Sequence, residues 1–207
     1  MRTDDYKNAI KLAAKDLDTR EAQRTASLSG ASFQDGALNL NFMNRPVKVT
    51  VPGYAVGWAE AKTGEEFALT DAVIVLHYLQ GANGLGPTGE LLAYRQIPGG
   101  EFYTAAFRKR AEIPLIKTFG QKPGLLTKAG AALGGAKAEG FGDEAVRFQV
   151  LPNLEVLTVI HQGDEEFEPD GQVLFDRSIN GALSIEDIAW LGSAVVYRLM
   201  GLSKGLS

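Results

Sequence analysis

A double glycine between two predicted elements is the short stretch whose residues most clearly could bind a ligand. Gly99 and Gly100 follow a predicted strand and precede a predicted helix, in the segment Pro-Gly-Gly-Glu-Phe-Tyr. The first amides of a helix have no partner within the helix, so such a turn can bind an anion. Glu101 places a carboxylate at the same helix start, which favours a structural cap over an anion site.

Charge is segregated along the chain. Residues 95–137 carry eight basic and two acidic side chains, whereas residues 155–187 carry nine acidic side chains and one basic side chain. One interpretation is a basic segment that binds an anionic ligand or a protein partner. The other interpretation is that the two segments face each other and neutralise their charges.

The same pattern supplies the candidate residues of a ligand-binding or enzymatic site. They combine the glycine turn with an aromatic hydroxyl, an arginine and carboxylates: Gly99, Gly100, Glu101, Tyr103, Arg108, Asp164, Glu165 and Asp176. We expect Asp176 to be partly buried because it ends an apolar strand, and Phe167 to anchor the acidic loop (residues 164–170) in the core. The predicted ion pairs join one of the carboxylates Asp164, Glu165, Glu166 or Asp176 to one of the arginines Arg95, Arg108 or Arg110.

Cysteine and histidine usage restricts metal and nucleophile chemistry. With no cysteine and two histidines, the chain cannot form iron–sulfur clusters, cysteine nucleophiles or a three-histidine zinc site. We therefore predict no tight transition-metal site, and the sequence names no cofactor. The acidic loop is either a loose surface cation site or a solvated loop, and Arg177 stands where an EF-hand requires glutamate.

Two histidines and one glycine motif have alternative interpretations. His77 lies in a nearly all-apolar predicted helix, which favours a core or boundary histidine over a functional one. His161 is either an ordinary surface histidine or a base steered by Asp164 or Glu165. Residues 84–89 match G-x-G-x-x-G, but a predicted helix precedes them where a dinucleotide site needs a strand.

Composition places the chain among globular proteins. Its 207 residues are 45% hydrophobic and 22% charged, which fits one compact domain with an N-terminal helical segment over residues 1–30. The net charge of −4 argues against a general nucleic-acid binder. The N-terminal residues lack a signal-peptide core and no apolar run could span a bilayer, so we expect a cytoplasmic protein without membrane contact.

Hydrophobic periodicity predicts an α+β fold with antiparallel hairpins packed against helices. The predicted hairpins cover residues 38–51 and 146–160, and further strands cover residues 91–97 and 173–175. The predicted helices cover residues 4–26, 71–80, 101–111, 115–119 and 125–133, with a last helix from Ser184 to Gly201. Thr70 is the expected cap of the second helix and Ser184 that of the last one.

The two ends of the chain resemble each other. Residues 38–81 and residues 146–201 each give a hairpin followed by a helix, which predicts an internal ββα pseudo-repeat. Chance patterning explains the likeness equally well, because ββα units are common in α+β domains.

An ordered set of short motifs resembles a known family. The set contains HYLQGA (77–82), IPGGEFYTAAFRKR (97–110), FG (119–120), LGG (133–135), GDEA (142–145), LP (151–152), GDEEFEP (163–169), VLFD (173–176) and L-x-x-ED-I-A (183–189). In this order they resemble the bacterial and archaeal family catalogued as domain of unknown function 3786. The resemblance implies a role in the metabolism of anaerobes. Some members carry an added cysteine-rich iron–sulfur segment of the type seen in corrinoid proteins, which this chain lacks.

Three functional hypotheses follow from the sequence. The first is a non-catalytic accessory or ligand-binding protein, linked through the resemblance to a corrinoid or redox enzyme. The second is an enzyme that acts on an anionic small molecule with the candidate residues above. The third is a homo-oligomeric interaction module. A deep pocket lined by both charge segments favours the enzyme, whereas an exposed apolar surface favours the other two.

Overall fold

The computed structural model describes residues 3–206 and confirms the α+β class, with two antiparallel sheets of four and five strands. The chain divides into two compact units. The first contains the described residues up to 86 together with residues 150–153 and 181–184, and the second contains residues 87–149, 154–180 and 185–206. Whether the chain behaves as one domain stays a prediction. No helix in residues 3–206 is long and apolar enough to cross a bilayer.

The first unit combines three helices with the four-stranded sheet. Its elements are α1 (Thr3–Leu17), α2 (Ala22–Ser29), β1 (Ser32–Gln34), β2 (Ala37–Phe42), β3 (Arg45–Thr50), β4 (Val56–Trp58) and α3 (Leu69–Gly81). The strands pair in chain order, and the predicted hairpin is β2 with β3, in which Leu40 faces Val47. Alternate residues of both strands are buried, as the alternation predicts.

Two helix predictions in this unit are wrong in detail. The helix predicted over residues 4–26 is broken at residues 18–21, where the hydroxyl of Thr19 donates to the Asp16 carbonyl at 2.7 Å and closes the turn. Threonine and aspartate side chains compete for backbone groups, which ends helices. α3 begins at Leu69 with Ala68 at its cap position, so Thr70 lies inside the helix and does not cap it. His77 is half-buried on α3.

The second unit combines the five-stranded sheet with four helices. Its strands are β5 (Leu91–Ala93), β6 (Ala136–Lys137), β7 (Glu144–Leu151), β8 (Leu154–His161) and β9 (Asp170–Asp176), in the sheet order β5-β9-β8-β7-β6. Its helices are α4 (Thr104–Phe107), α5 (Ile113–Phe119), α6 (Leu125–Ala132) and α7 (Ile185–Ser203). The last residues of β7 are counted with the first unit.

The helical run from Thr104 to Phe119 is continuous, although two separate helices were predicted there. α4 passes into a π-helical turn, Arg108–Glu112, and then into α5. Pro114 sits in the first turn of α5. In an α-helix a proline ring clashes with the carbonyl four residues earlier, which here is that of Arg110. The wider π-helical turn relieves this clash, so the helical run continues through Pro114.

Two element boundaries in this unit also differ from prediction. The strand predicted over residues 91–97 stops at Ala93 and gives way to a 3₁₀ turn, Tyr94–Gln96, because the Gln96 side chain accepts from the Ala93 amide at 2.7 Å. α7 does not end at Gly201 but continues to Ser203. Its predicted buried stripe is confirmed and consists of Ile188, Leu191, Val195 and Leu199.

A buried glutamate fixes the start of α6. Glu144 at the beginning of β7 accepts hydrogen bonds from the amides of Gly124 and Thr127 and from the Gln162 side chain. A carboxylate at this position satisfies helix amides that have no partner within the helix.

The hairpin β7–β8 is followed by β9 and then by α7, and the hairpin β2–β3 is followed by β4 and then by α3. The internal repeat stays a prediction that superposition of residues 38–81 on 146–201 tests.

Candidate functional site

Exposed aromatic and basic side chains project from two elements of the second unit that contact each other, the segment 102–110 and α7. We call this group the aromatic–arginine face and define it by five residues: Phe102, Tyr103, Arg110, Trp190 and Tyr197. The side chains of Phe102, Tyr103 and Tyr197 are 81%, 52% and 52% exposed, whereas Trp190 is half-buried. Large apolar side chains contribute to stability by being buried, so exposed ones in a group indicate a binding surface.

The double glycine positions the first two aromatic residues. Gly99 has a φ of +84°, and a Cβ atom at Gly100 would overlap the carbonyl oxygen of Tyr94. The Gly100 amide donates to the Ile97 carbonyl at 2.8 Å, so it is not available to an anion. The Gly100 amide is therefore satisfied within the turn itself. The turn leads into the short 3₁₀ turn Gly100–Phe102, from which Phe102 and Tyr103 extend into solvent.

A buried aromatic stack supports the face from below. The rings of Tyr94 and Phe107 stack with centroids 4.3 Å apart, and Phe107 also contacts Phe175 of β9 at 5.9 Å. The Tyr94 hydroxyl donates to the Ile185 carbonyl at 3.2 Å, which ties the turn to the start of α7. Burial raises the pKa of Tyr94; the charges of Glu186 and Tyr103 raise it further, and that of Arg110 lowers it.

Arg110 joins the π-helical turn to α7. Its guanidinium lies 5.7 Å from the ring centroid of Trp190, and its Nε donates to the Ser193 hydroxyl at 3.3 Å. Ser193 in turn donates to the Ala189 carbonyl at 2.7 Å. These contacts orient the guanidinium while the residue stays exposed. Tyr197 lies two helical turns beyond Trp190, which places both on one side of α7.

A second set of charged groups lies along β9, and we call it the charged row: Arg95, Arg108, Glu112 and Asp170. Arg108 and Asp170 approach to 3.5 Å, and both side chains are about half exposed. β5 pairs only with the last three residues of β9, so it does not cover Val173. Glu112 accepts from the Val173 amide. Glu112 of the π-helical turn thus bonds to β9 at an edge position that β5 does not pair with.

Burial raises the pKa of Glu112, and the Val173 amide and Arg108 oppose that shift only in part. The remaining neighbours Asp170 and Arg95 act in opposite directions. Because the folded-state pKa lies above the unfolded one, ionisation of Glu112 costs stability as the pH rises through the folded-state pKa.

We therefore expect Glu112→Gln to become progressively more stable relative to wild type between pH 4 and pH 7. The glutamine oxygen can still accept from the Val173 amide, so the comparison isolates the charge. Urea unfolding at several pH values measures the effect, with the exposed residue change Glu168→Gln as the control for general charge loss. A difference between Glu112→Gln and wild type that does not change with pH contradicts the prediction.

The remaining candidate carboxylates lie apart from one another. Asp176 at the far end of β9 is completely buried and accepts from the amides of Thr88, Gly89 and Ser178 at 2.7–2.9 Å. Within residues 3–206, no arginine bonds to it, so its predicted arginine partner is wrong. Asp170 and Asp176 are six residues apart, about 20 Å along a strand.

The acidic loop is ordered by its own first residue. The carboxylate of Asp164 accepts from the amides of Glu166 and Phe167, both at 2.8 Å, and these bonds hold its pKa below the ordinary value. Phe167 is 68% exposed, so the prediction that it anchors the loop in the core is wrong. Glu165 is also exposed. The two charge segments meet where Arg108 approaches Asp170 at 3.5 Å, and Asp170 is not one of the carboxylates predicted to form such a pair.

The candidate residues thus fall into three places. Gly99, Gly100, Glu101, Tyr103 and Arg108 lie together on the turn and the helical run that follows it. Asp164 and Glu165 lie in the acidic loop, and Asp176 lies under residues 88 and 89. Sequence reasoning missed Phe102, Trp190 and Tyr197. The available signal was the spacing of Trp190 and Tyr197, which lie off the buried stripe of α7.

A second aromatic–charge cluster, in the first unit, was also missed. Arg45 forms a two-point ion pair with Glu65 at 2.6 and 3.0 Å and lies 3.8 Å above the Trp58 ring. The hydrogen bonds from Arg45 and the Lys62 amide lower the pKa of Glu65 to about 2. Trp58 packs on Phe67. The Arg45 guanidinium, the Glu65 carboxylate and the Trp58 ring all contact one another or neighbours within the first unit. The cluster therefore attaches the segment that contains Glu65 to β3 and β4.

Among the described side chains, no group of three or more histidine, aspartate or glutamate residues is arranged to hold a metal ion. Asp164, which leads the acidic loop, directs its carboxylate to backbone amides.

Comparisons with known proteins agree with the motif order. A family model described as domain of unknown function (DUF3786) matches residues 21–198. No curated protein and no solved structure matches the chain. The match includes the glycine turn, the π-helical turn, the acidic loop and most of α7, and therefore nearly all the surface described above. Because the family model matches well over half of the chain, the chain belongs to the DUF3786 family.

Proposed function

We propose that this protein is a non-catalytic binding module whose aromatic–arginine face docks an acidic segment of a protein partner. The observation that carries the proposal is the exposure of Phe102, Tyr103 and Tyr197 on the same two elements that carry the oriented Arg110 and Trp190. Tryptophan, tyrosine and arginine are the residues that most often dominate protein–protein binding energies. They combine a large apolar contact area with a fixed polar group.

The chemistry of the face defines the segment that it recognises. Lys109 and Arg110 are exposed cations on the π-helical turn, and they favour carboxylates. The aromatic rings favour an apolar or aromatic side chain placed between those carboxylates. The preferred ligand is therefore an acidic peptide segment that contains an aromatic residue. We propose a partner from corrinoid or redox metabolism, which the family resemblance supports, and a complex in the cytoplasm. The enzyme hypothesis, which needs the carboxylates and Arg108 in one pocket, stays a hypothesis.

A synthetic peptide of this chemistry tests the proposal. We expect Ac-EEFEE-NH2 to bind the protein in calorimetric titrations, and the uncharged analogue Ac-QQFQQ-NH2 to bind at least tenfold more weakly. The change Arg110→Gln should weaken binding about tenfold, because it removes a charge-assisted contact worth about 1.5 kcal/mol. The double change Phe102→Ala/Tyr103→Ala should weaken binding at least as much.

Matched variants outside the aromatic–arginine face, Arg177 in the second unit and Leu85 in the first, separate docking from general electrostatics. Arg177→Gln removes the same charge at a half-exposed arginine that pairs with Glu90. Leu85→Ala removes a similarly exposed apolar side chain. Both controls should bind the peptide as wild type does. All of these surface variants should unfold within about 0.5 kcal/mol of wild type. Equal weakening by Arg177→Gln and Arg110→Gln, or no binding at millimolar peptide, contradicts the proposed function.

A further inference from the structure

The chain itself carries a segment with the chemistry that the aromatic–arginine face prefers. The acidic loop exposes the carboxylates of Glu165, Glu166 and Glu168 around Phe167, which is 68% exposed. An exposed phenylalanine among glutamates is the complement of exposed rings beside Arg110 and Lys109, both in charge and in apolar surface.

The acidic loop is held in one shape before any partner binds. Asp164 accepts from the amides of Glu166 and Phe167, and its own amide donates to the Phe167 carbonyl at 3.0 Å. The Gly163 amide donates to the Gly120 carbonyl at 3.1 Å, which attaches the loop to the end of α5. Phe167 is therefore presented outward by a closed turn. A segment that is already ordered loses little conformational entropy on binding.

The loop does not fill the face of its own copy, because Phe102, Tyr103, Tyr197 and Phe167 are all exposed in the single chain. The loop and the face nevertheless flank the same π-helical turn. Arg108 of that turn reaches Asp170 at the end of the loop, and Arg110, two residues on, lies over Trp190. Two complementary surfaces that adjoin on one molecule are what a two-fold symmetric contact between identical chains requires.

We propose that the acidic loop of one copy docks on the aromatic–arginine face of a second copy, and that the reciprocal contact forms at the same time in a two-fold dimer. This inference rests on the proposed function, because it names the occupant of the same face. Phe167 of each copy packs among the rings of its partner, and Glu165 and Glu166 face Lys109 and Arg110. The contact is partly electrostatic, so it weakens with ionic strength.

Exchanged charges give the test. The Lys109→Glu/Arg110→Glu variant makes the face acidic, and the Glu165→Lys/Glu166→Lys variant makes the loop basic; all four positions are exposed. Each variant alone should be monomeric, because its own loop and face then repel. Their equimolar mixture should form a heterodimer, because both loop–face contacts in the mixed pair are again between opposite charges.

Mass photometry and light scattering on the full chain measure the outcome. Wild type should be dimeric at 0.1 M salt, and its dissociation constant should rise at least tenfold at 1 M, as the screening length falls from about 10 Å to about 3 Å. The control Glu60→Lys/Glu66→Lys makes the same charge change at exposed positions of the first unit and should stay dimeric. Phe167→Ala should weaken the dimer at least tenfold.

Two results overturn the inference: a wild-type chain that is monomeric at 0.1 M salt and 100 µM protein, or a dimer that survives both charge reversals. The peptide titration of the Phe167→Ala variant, whose loop lacks the ring that docks on the face, separates the two claims. If Ac-EEFEE-NH2 binds this variant while wild type stays monomeric, the face docks another protein and only the second-copy occupant is wrong. If the peptide does not bind and wild type is monomeric, the proposed function fails as well.

Discussion

Gly100→Ala is expected to destabilise the protein by about 3 kcal/mol, the upper range for inserting an atom into a packed site. The new Cβ would overlap the backbone carbonyl oxygen of Tyr94 and lie 3.5 Å from Ile185. A backbone atom cannot rotate away as a flexible side chain can, so the turn itself must move. Tyr94 is part of the buried stack with Phe107, and its displacement disturbs the core beneath the aromatic–arginine face.

A second glycine of the same unit provides a control of opposite sign. Gly201 lies inside α7, and a Cβ built there meets no atom within 4 Å. Gly201→Ala should stabilise the protein by about 0.5–1 kcal/mol, because alanine loses less backbone entropy in a helix. Urea unfolding followed by circular dichroism measures both variants. Equal midpoints for Gly100→Ala and Gly201→Ala contradict the structural account of the turn.

Asp176→Asn is expected to destabilise the protein by about 2–3 kcal/mol. One carboxylate oxygen accepts from Thr88 and Ser178, and the other accepts from the Gly89 amide at 2.7 Å. Whichever way an asparagine amide is turned, its NH2 group faces at least one backbone N–H in a completely buried site. The control Glu168→Gln changes an exposed loop residue and should stay within about 0.5 kcal/mol of wild type.

The effect of Asp176 depends on pH in a defined direction. Burial raises the pKa of its carboxyl, but the hydrogen bonds from Thr88, Ser178 and Gly89 outweigh burial, and the net pKa is below the ordinary value. The ionised group therefore stabilises the fold fully above the unfolded-state pKa of about 3.9, and this stabilisation is lost as the pH falls through the folded-state pKa. The difference between wild type and Asp176→Asn should shrink as the pH is lowered from 6 to 3. A constant difference across that range contradicts this assignment.

Sequence patterns correctly predicted the strands and helices whose positions depend on local hydrophobic periodicity. The hairpins β2–β3 and β7–β8 and the helix α6 follow from alternation and from helical spacing, and all three lie where the pattern put them. Asp176 was expected to be partly buried because an apolar strand ends there. Its partners were missed because Thr88 and Gly89 are more than 80 residues away along the chain. The glycine-rich sequence around residues 84–89 contains no local pattern that predicts amides bonded to a distant carboxylate.

The wrong predictions around the aromatic–arginine face also have physical causes. Pro114 looked like a break between two helices, but a proline is tolerated in a first helical turn and here follows a π-helical turn. Tyr103 and Arg108 were found because they lie beside the double glycine. Trp190 and Tyr197 were missed because periodicity reports the buried side of α7, whereas exposure of the opposite side depends on what packs there.

The emission of Trp190 tests the docking face most directly. The chain has two tryptophans, so Trp58→Phe leaves Trp190, which lies beside Arg110 in the face, as the single strong fluorophore. Titration of this variant with Ac-EEFEE-NH2 should give a saturable shift of the emission maximum, with a dissociation constant that Arg110→Gln raises about tenfold. Constant emission up to millimolar peptide, while calorimetry records binding, would show that the acidic segment binds elsewhere and would contradict the assignment of this face.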